Sequence, residues 1–173
     1  LYDEKIINSK EPFKKLRNQG MVLGEGGIKM SKSKGNVVNP DDIVNRYGAD
    51  TLRIYEMFMG PFEDAIGWDP KSIEGSYRFL HRIWHFVAQS NSNDGAESKE
   101  LKRRLHKLIK KVTNDVEAMT FNTMVSAFME FVNFAIKEKT VGQETLKNFL
   151  ILFAPLAPHI SEELWHAIVP LEG

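Results

Sequence analysis

The chain has no cysteine, which removes disulfides and thiolate metal sites from consideration. That fits a reducing compartment. It also lacks any run of about 18 apolar residues, so no segment reads as a membrane span. The opening Leu1-Tyr2-Asp3-Glu4-Lys5 has neither an initiator methionine nor the apolar stretch of a signal peptide, and the chain reads as a piece of something longer. Charge of one sign is missing too: 23 basic residues balance 23 acidic ones. A generic nucleic-acid binder is basic overall, so any RNA contact here has to come from a local patch. No internal repeat occurs, and no aromatic stacking platform for single-stranded RNA stands out.

What remains is an ordinary globular composition. Of 173 residues, 42% are hydrophobic and 27% charged, enough for one compact domain or two small ones with a real core. The most informative stretch is Lys29-Met30-Ser31-Lys32-Ser33, set between Gly24, Gly26 and Gly27 and the pair Gly35-Asn36. Lysine places a compact positive charge on a flexible stem. Serine hydroxyls add hydrogen bonds to phosphate. Glycines let the backbone approach an anion and move. Together they suit a polyphosphate, the alternative being a solvated basic loop. Met30 is expected to anchor the loop against apolar neighbours. Lys34 reads equally well as a solvent lysine.

Periodicity sketches the rest. Glu11–Gly20 is expected to be a short helix with Pro12 in its first turn and Gly20 at its stop. Met21-Val22-Leu23 and Val37-Val38 are expected as short strands. Asn39-Pro40-Asp41-Asp42 is a helix start, with a cap, proline at the first position and acids in the first turn. Gly48 ends that helix, and Asp50 is expected to cap the next, which carries Leu52, Ile54, Tyr55 and Phe58. Residues 61–71 read as a connector in which Trp68 packs as an anchor.

From residue 72 the pattern is helical. Ile73, Tyr77, Leu80, Trp84 and Val87 form one stripe, widened by Phe79, Ile83 and Phe86. Residues 90–98 form a polar loop. Ser98 caps a helix bearing Leu101, Leu105, Leu108, Val112, Val116 and Met119. Asn122 starts another with Val125, Phe128, Phe131, Val132 and Ala135. Gly142 punctuates, and 143–154 gives a helix with Leu146, Phe149, Leu150 and Phe153. Pro155 and Pro158 turn the chain into a last helix with Ile160, Leu164, Trp165 and Ile168. Glu162 and Glu163 are expected as its first-turn charges. The fold expected is therefore mainly α: a small α/β segment over 1–64, then a bundle of about five helices over 65–173.

Two clusters bear on binding. Arg103, Lys107 and Lys110 fall four and three apart, away from the apolar face of their helix, with Lys102, Arg104 and Lys111 beside them. Such a stripe can hold an RNA backbone through phosphates; the alternative is an ordinary charged helix face. His81 and His85 have zinc-ligand spacing, but no third ligand stands near them, so they read as packing or surface histidines and no metal site is expected.

The pentapeptide matches the second signature of class I aminoacyl-tRNA synthetases. Residues 29–55, KMSKSKGNVVNPDDIVNRYGADTLRIY, are similar to the stretch after that signature in the leucine, valine, isoleucine and methionine enzymes. Glu56-Met57-Phe58-Met59-Gly60-Pro61, Gly67-Trp68, Ile73-Glu74-Gly75 and Arg78–Trp84 resemble the leucyl-tRNA synthetases most. Phe153-Ala154-Pro155-Leu156-Ala157-Pro158-His159-Ile160-Ser161-Glu162-Glu163-Leu164-Trp165 resembles the closing helices of the family's anticodon-binding domain. The family's His-x-Gly-His signature is absent, as are its amino-acid pocket, editing insertion and C-terminal extension.

The resemblance implies a fragment of a leucine–tRNA ligase, not competent alone. It implies a parent, monomeric and cytoplasmic, that joins leucine to ATP (with Mg2+) and passes leucyl to tRNA(Leu). It gives Lys32 the leading catalytic role and Lys29 a supporting one. Lys29, Met30, Ser31, Lys32 and Ser33 become the ATP-binding set, while Arg103, Lys107 and Lys110 stay candidate tRNA contacts on their spacing alone, beside the alternative of a solvated face. The alternatives are the valyl, isoleucyl or methionyl enzyme, or a non-catalytic helical interaction module that keeps the loop as a relic.

Overall fold

Five helices with apolar stripes have to cover one another, and in the computed structural model they do. The structure describes residues 1–90 and 96–169. Its order is β1 (Val22–Leu23), α1 (Pro40–Tyr47), α2 (Ala49–Phe58), β2 (Ile66–Gly67), α3 (Ile73–Ser90), α4 (Lys99–Ala118), α5 (Phe121–Ala135), α6 (Gln143–Phe153) and α7 (Pro158–Ile168). The fold is mainly α, with a small α/β segment ahead of the five-helix bundle α3–α7. The polar loop expected at 90–98 lies, for residues 91–95, outside the described residues.

The bundle core is built on phenylalanine. Phe128, Phe149 and Phe153 are fully buried. Phe149 stacks on Phe153 at 5.6 Å and on Phe131 at 5.7 Å, while Phe128 meets Phe153 edge-on at 5.0 Å. Offset-stacked and edge-on pairs each contribute about 0.5–1.5 kcal/mol beyond area burial. Ser98 caps α4, its hydroxyl accepting the Leu101 N–H at 3.0 Å. Gly142 precedes α6, its N–H donating to Glu97 at 2.6 Å.

The stripe of α4 continues from Val112 to Asp115 rather than to Val116, which is 46% exposed. Asp115 is buried and accepts hydrogen bonds from Lys111 Nζ (2.6 Å), Thr120 Oγ1 (2.7 Å) and Thr123 Oγ1 (2.9 Å), closing the turn into α5. Met119, expected on the apolar face, instead ends the helix in the left-handed region at φ 59°. The start expected at Asn122 falls one residue earlier, at Phe121.

Several other expectations are corrected. Glu11–Gly20 is not a helix. Phe13 and Leu16 are both 84% exposed, and a ten-residue helix with nothing to pack on is marginal in water. Gly20 has a different reason to be glycine: a Cβ there would stand 1.7 Å from the Asp64 carbonyl oxygen. Val37-Val38 makes no strand. β1 pairs in parallel with β2 instead, Val22 opposite Ile66 and Leu23 opposite Gly67, while Val38 packs its side chain beside Tyr55, Trp68 and Ile73. Trp68 is anchored as expected: buried, edge-on to Tyr55 at 4.8 Å, its N–H donating to Leu23 O at 2.7 Å.

Tyr77 and Trp84, placed on the buried stripe by spacing, are 37% and 40% exposed. They line a groove of about 550 Å³ with Tyr47, His81 and His159. Glu162 and Glu163 fall in the second turn of α7, not the first. The acid at that helix start comes from α2. Asp50 does not cap its own helix, where Gly48 stands without a side-chain bond, but accepts the Ile160 N–H at 2.7 Å.

Candidate functional site

The loop after β1 is built in two turns. Leu23 bridges to Lys29, and Gly24 N–H donates to Ile28 O at 2.7 Å. Between them Gly26 and Gly27 both stand at φ 73°, a conformation that glycine adopts without steric cost. Met30 then turns inward and packs against the cluster of Tyr55, Trp68 and Ile73, as its anchoring role requires. Lys32–Lys34 makes a single 3-10 turn, closed by Gly35 at φ 63°.

Asn36 ties the two turns together, and sequence reading missed its role. Its Oδ1 accepts the Ser31 N–H at 2.9 Å, and its Nδ2 donates to Lys29 O at 3.3 Å. The only available signal was an amide directly after the glycine that ends the turn. Ser31 and Ser33 share a hydrogen bond between hydroxyls at 3.2 Å. Lys29, Lys32 and Lys34 are exposed, and among the described residues none has an ion-pair partner. Three unneutralised cations on one stapled loop form a site that attracts a polyanion.

The second cluster lies on α4. Arg103, Lys107 and Lys110 share the exposed side of the helix. Arg103 is engaged: its guanidinium grips Glu100 with two bonds, of 2.8 and 3.1 Å, which hold the Glu100 carboxyl below the usual carboxylate range. Arg104 shares Glu100 at 2.9 Å and lies over the Phe134 ring at 4.1 Å. Lys107 and Lys110 have no such partner among the described residues. Lys107 also borders a groove of about 420 Å³ between α4 and α5, with Arg104, Lys111, Thr123, Ser126 and Glu130.

His81 meets Tyr77 edge-on at 4.4 Å. Among the described residues no three His, Cys, Asp or Glu side chains gather as metal ligands. No helix among them is long and apolar enough to cross a membrane.

Against known proteins, residues 4–69 match the model of class I tRNA synthetases for isoleucine, leucine, methionine and valine. Residues 98–172 match the anticodon-binding domain of tRNA ligases. The chain belongs to the class I aminoacyl-tRNA synthetases of that group. Within it, the chain resembles the agnB2 leucyl-tRNA synthetase of Agrobacterium radiobacter K84, solved as a ternary complex with tRNA and LeuAMS. The two share 32% identity and a TM-score of 0.81 over 99% of this chain and 25% of that one. Two structures of the methionyl-tRNA synthetase of Mycobacterium tuberculosis, both with methionyl-adenylate, share the fold. One has 17% identity and a TM-score of 0.70 over 84% of this chain and 36% of that one. The other has 16% and 0.67 over 87% and 39%. The chain thus spans about a quarter of the leucyl enzyme that it matches.

Proposed function

We propose that this chain is the part of a leucine–tRNA ligase that carries the ATP loop and a tRNA-binding bundle. The observation that carries the reading is the stapled loop with its free lysines, in a chain 32% identical to a leucyl enzyme along 99% of its length. Residues 1–64 then end the catalytic region, and 65–173 form the anticodon-binding-type bundle. The parent activates leucine with ATP, releases pyrophosphate, and passes leucyl to tRNA(Leu). We place it in the cytoplasm as a monomer. This segment has no His-x-Gly-His tetrapeptide, and alone it is not expected to activate leucine.

In activation, negative charge builds on the departing pyrophosphate. A cation already fixed beside it stabilises the transition state more than the ground state, which is what accelerates chemistry. Lys32 takes that role and Lys29 supports it. Ser31 and Ser33 donate to phosphate once their mutual bond opens. Met30 keeps the loop seated while its glycine-flanked turns move. Among the described residues no carboxylates gather into a cage for the Mg2+ expected with ATP. On the bundle, Lys107 and Lys110, with Arg103 once Glu100 releases it, hold the tRNA backbone through phosphates.

The test is amino-acid-dependent ATP–pyrophosphate exchange by the full-length enzyme, with leucine, valine, isoleucine and methionine in turn. Exchange with leucine alone, reduced about 10²–10³-fold by Lys32→Ala, supports the reading. Exchange with another of the four overturns the leucine assignment. No exchange with any of them favours a non-catalytic module. A Lys32→Ala loss no larger than that of Lys34→Ala overturns the role of Lys32.

A further inference from the structure

Helix α2 belongs to two cores at once. Leu52 and Tyr55, with Met59 just past the helix end, pack in the small cluster that holds Met30 of the loop. Ile54, wholly buried, and Met57 pack with the bundle core. Asp50 and Arg53, three residues apart and so neighbours on the helix surface, make a third contact. It is polar and directional.

Arg53 donates from Nε to Leu156 O at 3.2 Å and from Nη2 to Pro155 O at 2.7 Å. Those carbonyls lie just beyond the last residue of α6, Phe153. Asp50 accepts the Ile160 N–H at 2.7 Å and the His159 N–H at 3.4 Å, and His159 Nδ1 lies 2.8 Å from its Oδ1. Those amides belong to the first turn of α7. One turn of α2 therefore grips both sides of the α6–α7 corner. Each side chain carries the charge that its helix end favours, a cation for the carbonyl end and an anion for the amide end. Apolar packing at Ile54 supplies attraction without direction. Five hydrogen-bonding contacts from two adjacent side chains supply an angle.

We propose that Asp50 and Arg53 are positioning residues that set the orientation of the bundle relative to the Lys29–Ser33 loop. A tRNA held on the bundle then presents its acceptor end where the loop works. This rests on the synthetase reading above. Neither residue touches ATP or tRNA in that reading. Their loss therefore leaves activation intact and weakens the step that needs both surfaces in register.

The experiment uses the full-length enzyme with Asp50→Asn, Arg53→Met and both together, and Arg53→Lys as the conservative variant. Leucine-dependent pyrophosphate exchange is expected to stay within about twofold. Leucylation kcat/KM for tRNA is expected to fall about tenfold or more in the double variant, since a misplacement on the order of 1 Å can cost about 10²-fold. Lysine reaches one carbonyl where arginine reaches two, so Arg53→Lys should fall between. Spin labels at Val37→Cys and Glu117→Cys, in a background cleared of other cysteines, should give one narrow distance that broadens in the double variant. A lower melting temperature with both reactions unchanged overturns the proposal, because the pair then only adds stability. Equal losses in both reactions overturn it too. If the unmodified enzyme shows no exchange with leucine, the synthetase assignment fails instead. The label distance still decides the clamp, since a narrow distribution in the double variant overturns it.

Discussion

Asn36→Ala tests whether the loop works as a stapled unit. The amide makes two bonds across the loop, to the Ser31 N–H at 2.9 Å and to Lys29 O at 3.3 Å. A protein hydrogen bond contributes about 0.5–1.5 kcal/mol net. Asn36 is half-buried and the second bond is long, so the pair contributes about 1–2 kcal/mol in all. That is roughly a factor of 5–30 in a two-state population. Few other restraints act on the loop: the burial of Met30 and the short bridge at Leu23. If the stapled form is the one that meets ATP, kcat/KM for ATP in pyrophosphate exchange should fall about 5–30-fold, read directly as lost transition-state stabilisation.

Gly24 gives an independent handle on the same contact. Its φ of −71° suits any residue, but a Cβ would stand 2.9 Å from Asn36 Nδ2, and 3.2 and 3.3 Å from the carbonyl oxygens of Asn36 and Ile28. Gly24→Ala should therefore dislodge the staple by crowding. The two substitutions remove one feature, so the double variant should cost clearly less than the sum. An Asn36→Ala enzyme within twofold of the unmodified one would falsify the staple. So would full additivity with Gly24→Ala.

Other consequences are direct. For Asp115, burial alone raises the carboxyl, but the hydrogen bonds from Lys111, Thr120 and Thr123 outweigh it and hold the group below the usual carboxylate range. A depressed folded-state pKa means that this stabilisation is complete above the unfolded value of about 3.9 and is lost as pH falls through the folded one. Asp115→Asn should flatten the acid limb of a melting-temperature profile below about pH 4, and an unchanged limb counts against the network. Phe149→Ala empties the centre of the phenylalanine cluster and should cost about 3–5 kcal/mol in denaturant unfolding; a cost under 1 kcal/mol would mean that the bundle core is not packed around it. Lys107→Glu with Lys110→Glu should weaken tRNA binding at low salt and reduce its salt slope by about 1 per lysine removed. Arg103→Glu alone should do less, because Glu100 already engages Arg103. Equal affinities across the three proteins would leave α4 an ordinary solvated face.

The bundle was readable because its signals are local and repeated. Leucine and phenylalanine at three- and four-residue spacing mark a face whatever they pack against, and Ser98 and Asn39 mark helix starts through capping bonds only two or three residues long. The errors occur where a residue answers to a distant partner. Asp50 looked like the cap of its own helix and caps one 110 residues away in sequence. The charge that the sequence pattern assigns to Glu162 and Glu163 is delivered by Asp50. Val37-Val38 has strand chemistry, yet β1 pairs with Ile66–Gly67 because Trp68 pins that segment beside it. The pattern over residues 11–20 has helix chemistry and no surface to bury against. The same division runs through the loop. Lysines and serines in a fixed pentapeptide can be read from their chemistry alone. Asn36 acquires its role only when the chain doubles back to put Ser31 and Lys29 on either side of one amide. Apolar anchors such as Met30 and Trp68 are therefore legible from their chemistry, and polar side chains that bond to a segment distant in sequence are not. That is why the inferences added by the structure, Asn36 across the loop and Asp50 with Arg53 across the helix corner, are both staples.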